Sequence, residues 1–287
     1  MVEVKGYAKI NLMLDVIGKR DDGYHEVRML MQQVDLCDII TVSKAKGRNI
    51  SLTCDKDDIP LDESNLAFRA AMLMKDAFSI EEGVEIHIEK NIPVAAGLAG
   101  GSTDAAAVLK GMNQLFQLEL MPQMLWALGR KLGADVPFCI LGKAAIATGV
   151  GEKLEPVTLL TEGMILLCKP PVMISTKEVY EQYSENIDTL EKNPHPDLNK
   201  LIKTIQEKDY SNMHQNMINV LEHVVRENHP EITMIEERLK AFEPEGTLMS
   251  GSGPTVFAYF LKKEKAQEAY RELKKRYPET YLTNPIY

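Results

Sequence analysis

The residues most able to do chemistry in this 287-residue chain run from Pro93 through Val94, Ala95, Ala96, Gly97, Leu98, Ala99, Gly100, Gly101, Ser102 and Thr103 to Asp104. Glycine lets a backbone come close to a ligand and adopt positive φ. A helix that begins where the glycines end presents unpaired N–H groups and the positive end of its dipole, which together suit a phosphate. Gly97, Gly100, Gly101, Ser102 and Thr103 meet that specification. The same composition also serves tight packing of a strand against a helix, and spacing alone leaves both readings open. Two familiar fingerprints are excluded. A Walker A loop ends in Gly-Lys-Ser/Thr, whereas Gly101 is followed by Ser102 and Thr103. The second glycine turn, Ser250-Gly251-Ser252-Gly253, has the first spacing of a dinucleotide fingerprint, but Val256 fills the third glycine position. A phosphate held here is held without the usual lysine.

The elements that must position this segment follow from periodicity. Ile10, Leu12, Leu14 and Val16 alternate with Lys9, Asn11, Met13 and Asp15, which reads as a strand with Lys9 and Asn11 on one face. A second strand is predicted from Val34 to Val42. Ser64 and Asn65 are positioned to cap a helix through Leu66, Ala70, Leu73 and Ala77. Val84, Ile86 and Ile88 alternate with Glu85, His87 and Glu89, giving a third strand with one wet face. Pro122 opens a helix predicted to stop at Gly133, with Asp135 just beyond it. Asp135 by itself reads as a turn residue.

From about Pro156 the texture changes. A strand over Met164 to Cys168 leads to Ser175 and Thr176 at the start of a short helix, then to a polar stretch with Pro194 and Pro196. Further helices and a strand from Val256 to Leu261 follow. The pattern implies an α+β chain of two domains, residues 1–155 and 156–287.

Bulk properties narrow the function. Hydrophobic residues make up 45% and charged residues 26%, a globular balance, and the net charge of −9 disfavours nucleic acid or an anionic membrane as partner. Cys37, Cys54, Cys139 and Cys168 form no CxxC pair, so zinc and dithiol chemistry are unsupported and reduced thiols are expected. The N-terminal residues interrupt their apolar run with charges, unlike a signal peptide, and a cytoplasmic location is expected. His87, His195, His214, His223 and His229 lack metal-ligand spacing and read as surface or capping residues; Met29, Met31, Met72 and Met74 read as core.

Three segments taken together resemble one family. Residues 8–26 (AKINLMLDVIGKRDDGYHE), 93–108 (PVAAGLAGGSTDAAAV) and 248–257 (LMSGSGPTVF) are similar to the three ordered motifs of the galactokinase, homoserine, mevalonate and phosphomevalonate (GHMP) kinase superfamily. Thr103 stands where many members carry serine, which keeps the hydroxyl. Lys-Ile-Asn followed by Gly-Tyr-His-Glu resembles the branch that acts on a cytidine diphosphate-linked methylerythritol in isoprenoid precursor biosynthesis.

The resemblance implies a two-domain GHMP-kinase-like fold, with an ATP-binding first domain, a substrate-side second domain and the active site in the cleft between them. It implies ATP with Mg2+, the residues from Pro93 to Thr103 around the phosphates, and Asn65 and Lys90 near the adenine. Asp135 and Lys9 match the catalytic pair. Asn11, His25 and Thr176 match substrate contacts, and Tyr24 and Tyr180 match two aromatics that sandwich the cytosine. Ser102 is a candidate magnesium ligand. A carboxylate does not deprotonate an alcohol in advance, but Asp135 accepts the proton late in the transfer, while Lys9 offsets charge on the moving group or keeps Asp135 ionised. The competing expectations are a homoserine- or mevalonate-type kinase, and a catalytically silent nucleotide sensor on the same fold.

Overall fold

Strand β1 (Val2–Lys19) runs much further than its alternating stripe, and from Ala8 to Val16 both of its faces are covered. Ile10, Leu12 and Leu14 are buried as expected, and so are Lys9, Asn11, Met13 and Asp15 on the other side. A strand buried on both faces loses the wet side that alternation suggests. In the computed structural model, residues 1–186 and 195–287 are described; Pro194 lies outside them.

The chain folds into two compact units assembled from interleaved segments. The first comprises Met1–Ala8, Leu36–Val94 and Ala99–Gly142, and the second Lys9–Asp35, Ala95–Leu98 and Lys143–Tyr287.

In the first unit, the C-terminal part of β2 (His25–Ala45) pairs antiparallel with β4 (Gly83–Glu89), with Ile40 opposite Ile88 and Val42 opposite Ile86. β3 (Ile50–Cys54) pairs parallel with β4 on its other edge. Val84, Ile86 and Ile88 are buried, while Glu85, His87 and Glu89 face water as their alternation dictates. Helices α1 (Leu66–Phe78) and α2 (Gly100–Leu115) pack together. Ala67, Ala70, Met74 and the run Ala105 to Leu109 join the strand residues in one apolar core. Each large side chain so buried contributes about 1.5–3 kcal/mol. α3 (Pro122–Arg130) stops before the predicted Gly133, and a second short helix, α4 (Val136–Leu141), starts directly after Asp135. Asp135 therefore opens a helix instead of trailing one. Pro137 in the first turn of α4 explains the new start, because a proline there sacrifices no helical bond.

In the second unit, the N-terminal part of β2 pairs antiparallel with β5 (Ala144–Gly149), which pairs with β6 (Lys153–Pro156). A separate antiparallel sheet has the order β10–β7–β9–β8, from strands β7 (Met164–Cys168), β8 (Gly246–Met249), β9 (Val256–Phe260) and β10 (Thr280–Thr283). All five side chains of β9 are buried. The helices of this unit are α5 (Thr176–Glu185), α6 (Leu198–Gln206), α7 (Tyr210–Asn216), α8 (Glu222–Asn228), α9 (Pro230–Lys240) and α10 (Lys263–Arg276). Among the described residues, no helix is long and apolar enough to cross a membrane, and the four cysteines carry no disulfide. Met29, Met31 and Met74 are core residues, while Met72 is only partly buried.

Candidate active site

In the second unit, Lys9 is the centre of a tight polar cluster. Its side chain is only 4% exposed. Nζ donates to Asn11 Oδ1 at 2.7 Å and to the carbonyl of Gly97 at 2.8 Å. The i, i+2 relation on β1 puts Lys9 and Asn11 on one face, so the first bond follows from strand geometry. The second is long-range and requires Gly97. That residue has φ +71, and a Cβ there would lie 2.2 Å from the carbonyl oxygen of Ser250 and 2.9 Å from that of Gly253. Only glycine fits. Ser250 Oγ also donates to the Gly97 carbonyl, at 3.0 Å. Thus Lys9, Asn11, Gly97 and the turn 250–253 form one assembly, joining all three sequence motifs.

Asn219 braces that assembly and carried no signal in the sequence. Its Nδ2 donates to the carbonyls of Met249 and Gly251 at 2.9 and 2.7 Å, and its Oδ1 accepts from Leu221 N at 3.1 Å. Glu222 Oε1 accepts from Met249 N at 2.9 Å. Burial, reinforced by Glu236, pushes the Glu222 carboxyl well above its ordinary range.

Tyr24 and His25 lie where β1 turns into β2. Asp22 accepts from Tyr24 N at 3.1 Å and holds Arg20, which closes the turn and leaves Tyr24 65% exposed. His25 is buried, and its ring lies 5.1 Å from that of Tyr180, tilted by 30°. Ser184 Oγ donates to the Tyr180 carbonyl at 2.9 Å and lies 2.7 Å from His25 Nε2. With its own proton given away, Ser184 accepts the proton of Nε2, which leaves Nδ1 of the neutral ring as an acceptor. Burial lowers the His25 pKa below 6.5, and Lys19 lowers it further, so the neutral ring prevails at pH 7. Thr176 sits one turn before Tyr180 on α5, with Oγ1 2.8 Å from Ser252 Oγ.

His195 is exposed, as expected, and also reaches a buried carboxylate. Its Nδ1 lies 2.8 Å from Asp15 Oδ1, and Arg28 Nη2 lies 3.2 Å from Asp15 Oδ2. The fully buried Asp15 carboxylate thereby ties residues of β1, β2 and the segment before α6 together.

In the first unit, α2 begins after Ala99, which adopts the left-handed region at φ +59 and has no side chain able to cap the helix. Ala95, which belongs to the second unit, is also left-handed, at φ +50. Non-glycine residues held there are a strained choice that clusters at ligand-binding turns. The consequence is chemical: the amides opening α2 receive no side-chain cap. Ser102 is half-buried in this turn. Thr103 instead faces inward, donating Oγ1 to the Tyr7 carbonyl at 2.9 Å. Asn65 caps α1, accepting from Ala67 N at 2.8 Å and donating to the Pro60 carbonyl at 2.8 Å. Lys90 is buried between Asp38 and Asp104, at 2.5 and 2.8 Å. Pro93 is buried and Val94 partly so. Asp135 is partly exposed at the start of α4, and its carboxylate makes no cap to that helix.

The geometry thus gathers Lys9, Asn11, Gly97, His25, Thr176 and Tyr180 in one unit and Asn65, Lys90, Ser102 and Asp135 in the other. Comparison with known proteins gives this arrangement its family. Residues 65–143 match the GHMP kinases N terminal domain, and residues 189–279 match the GHMP kinases C terminal domain. The chain is 46% identical to the 4-diphosphocytidyl-2-C-methyl-D-erythritol kinase of Clostridium beijerinckii, over 99% of this chain and 100% of that protein. It is also 46% identical to the enzyme of the same name from Clostridioides difficile, over 99% and 95% of the two chains. A crystal structure of 4-(cytidine 5'-diphospho)-2C-methyl-D-erythritol kinase superposes with a TM-score of 0.83 at 32% identity, over 99% of each chain. The homoserine kinase of Cytophaga hutchinsonii, at 19% identity and a TM-score of 0.74 over 99% and 95% of the chains, shares the fold. On this full-length likeness, the chain belongs to the GHMP kinases and, among them, to the family of the 4-diphosphocytidyl-2-C-methyl-D-erythritol kinases.

Proposed function

We propose that the chain transfers the γ-phosphate of ATP to the C2 hydroxyl of 4-diphosphocytidyl-2-C-methyl-D-erythritol, in the cytoplasm, as a step of non-mevalonate isoprenoid precursor biosynthesis. The observation that carries this reading is the 46% identity to a kinase of that name along essentially the whole of both chains.

The residues supply distinct parts of the reaction. The uncapped amides opening α2 bind phosphate oxygens through the helix N-terminus. Asn65 shapes the adenine side, while Lys90, buried between Asp38 and Asp104, stands behind the glycine segment. The substrate oxygen attacks the γ-phosphorus, the bond from that phosphorus to the β–γ bridging oxygen breaks, and its electron pair leaves with ADP. Asp135 orients the hydroxyl and takes its proton as the O–P bond forms. Lys9 offsets charge on the transferring group. Its fixed position on Asn11 and Gly97 means that little reorganisation accompanies the reaction. Asn11 and Thr176 hold the methylerythritol unit, Tyr24 and Tyr180 take the faces of the cytosine, and the acceptor nitrogen of His25 suits its exocyclic amine.

A magnesium ion would supply charge neutralisation for the phosphate oxygens during transfer. Among the described residues, no three His, Cys, Asp or Glu side chains are grouped to hold a metal ion. Ser102, half-buried at the start of α2, would offer its hydroxyl as a ligand to such an ion.

The test is an ADP-release assay with 4-diphosphocytidyl-2-C-methyl-D-erythritol, homoserine and mevalonate offered separately. Turnover with the first compound alone is expected. Preference for either of the others would reassign the substrate, and ATP binding without turnover on any of them would leave a silent nucleotide sensor.

A further inference from the structure

Three ionisable side chains meet in the interior of the first unit, at the two ends of the glycine segment. Lys90 Nζ contacts Asp38 Oδ2 at 2.5 Å and Asp104 Oδ2 at 2.8 Å, and all three side chains are at most 3% exposed. Asp38 does more than pair with the ammonium. Its Oδ1 accepts from Asn91 N at 2.6 Å and from Ile92 N at 2.8 Å, which fixes the backbone directly before Pro93. Lys90 N is itself held by Asp55 Oδ1 at 2.7 Å. On the far side of the segment, Asp104 follows the first turn of α2, and a Cβ on Gly100 would stand 3.1 Å from Lys90 Nζ. Chain entering the segment and chain leaving it are therefore tied to one ammonium group.

Stability alone is a poor reason for such a device. A buried ion cluster often gives no more stability than apolar side chains of the same volume, and its benefit is a unique geometry. Burial, opposed by Lys90 and reinforced by Asp38, lifts the Asp104 carboxyl to about 7, so the cluster is held against its own desolvation. Asp104 Oδ1 is buried without a hydrogen-bond partner. An unpaired buried oxygen is tolerated where position matters more than energy.

We propose that Asp38 and Asp104 are positioning residues for the phosphate chain of the nucleotide: through Lys90 they set the spacing between the two ends of the glycine segment, and with it the amides of residues 100–102 that meet the phosphates. The proposal rests on the reading that this segment binds phosphate. It separates two parts of one ligand, because the strut should govern the grip on phosphates and leave the nucleoside alone.

The experiment measures dissociation constants of ATP and of adenosine by calorimetry or competition, for the wild-type chain, Asp104→Asn and Asp38→Asn. Asp38→Asn acts at the opposite end of the strut and gives an independent readout if Asp104→Asn folds poorly. The expected result is a loss of ATP affinity of about tenfold or more in each variant, the scale of a lost charged hydrogen bond. Adenosine affinity and the KM for the alcohol should stay within about twofold, inside the scatter of substitutions that touch neither ligand. Equal loss for ATP and adenosine, or a lowered thermal midpoint with an unchanged ATP-to-adenosine ratio, would overturn the proposal and leave the cluster a fold element. A wild-type chain that binds ATP no better than adenosine would sink the phosphate reading as well, so the two failures are distinct.

Discussion

Lys9 donates its ammonium to the carbonyl of Gly97, 88 positions along the chain, at 2.8 Å. That bond joins the first sequence motif to the second, and Ser250 brings the third to the same carbonyl. These contacts fix a buried ammonium group in position before any ligand arrives. Lys9→Met removes the charge while keeping the stem, and kcat is expected to fall about 10²-fold or more. Lys9→Arg should not restore it, since a planar guanidinium does not fit a site shaped around a compact ammonium. Stopped-flow turnover of the two variants checks this; near-normal kcat in Lys9→Met would remove Lys9 from the chemistry.

Asp135→Asn keeps shape and loses the base. The carboxylate makes no bond to the α4 backbone, so the fold and ATP binding should survive. Turnover is expected to drop by roughly 10²–10⁴-fold. Single-turnover kinetics with prebound ATP separates this from weakened binding.

Gly97→Ala tests the turn itself. The new Cβ would fall 2.2 Å from the Ser250 carbonyl on a backbone at φ +71. Backbone strain alone contributes about 1–3 kcal/mol of destabilisation. Urea unfolding of the variant should show a lower midpoint, together with loss of activity through a displaced Lys9 partner.

Much of this arrangement was legible in the sequence, and the remainder was hidden for identifiable reasons. Alternation along β1 correctly placed Lys9 and Asn11 on one face, because a strand has a fixed period. It carries no sign that β1 is buried on both faces from Ala8 to Val16, because burial depends on what packs from elsewhere in the chain. The start of α2 was readable from Gly100 and Gly101, but the placement of Ala99 at its cap position was not. Asp104 and Asp38 were not, since their shared partner Lys90 is 14 and 52 positions away. Asn219 was invisible because an asparagine without local motif context carries no sign of which distant carbonyls it will meet.

Aromatic stacking makes a separate claim about specificity. Tyr24 is 65% exposed at the β1–β2 turn, so its removal should leave stability nearly unchanged. Tyr24→Ala should weaken binding of the cytidine-bearing substrate by about 1–3 kcal/mol. An unchanged dissociation constant by calorimetry would discard the contact.

Stability should also carry a pH signature from Asp104. Its carboxyl is raised from 3.8 to about 7 in the folded chain, chiefly by burial. Between those values the folded state holds a proton that the unfolded chain has released. This contribution to stability is full below about pH 4 and fades as pH rises through about 7. Thermal unfolding from pH 5 to 8 should therefore show a steeper decline in wild type than in Asp104→Asn. Parallel curves would contradict the assignment.

The most direct measurement follows the transferred phosphorus. ATP labelled with 18O on its γ-phosphate is incubated with the wild-type chain and 4-diphosphocytidyl-2-C-methyl-D-erythritol, and the products are weighed by mass spectrometry. The expected result is one labelled phosphate on the substrate's C2 oxygen for each ADP formed. Label recovered only as inorganic phosphate, or none transferred while ATP remains bound, would contradict the account.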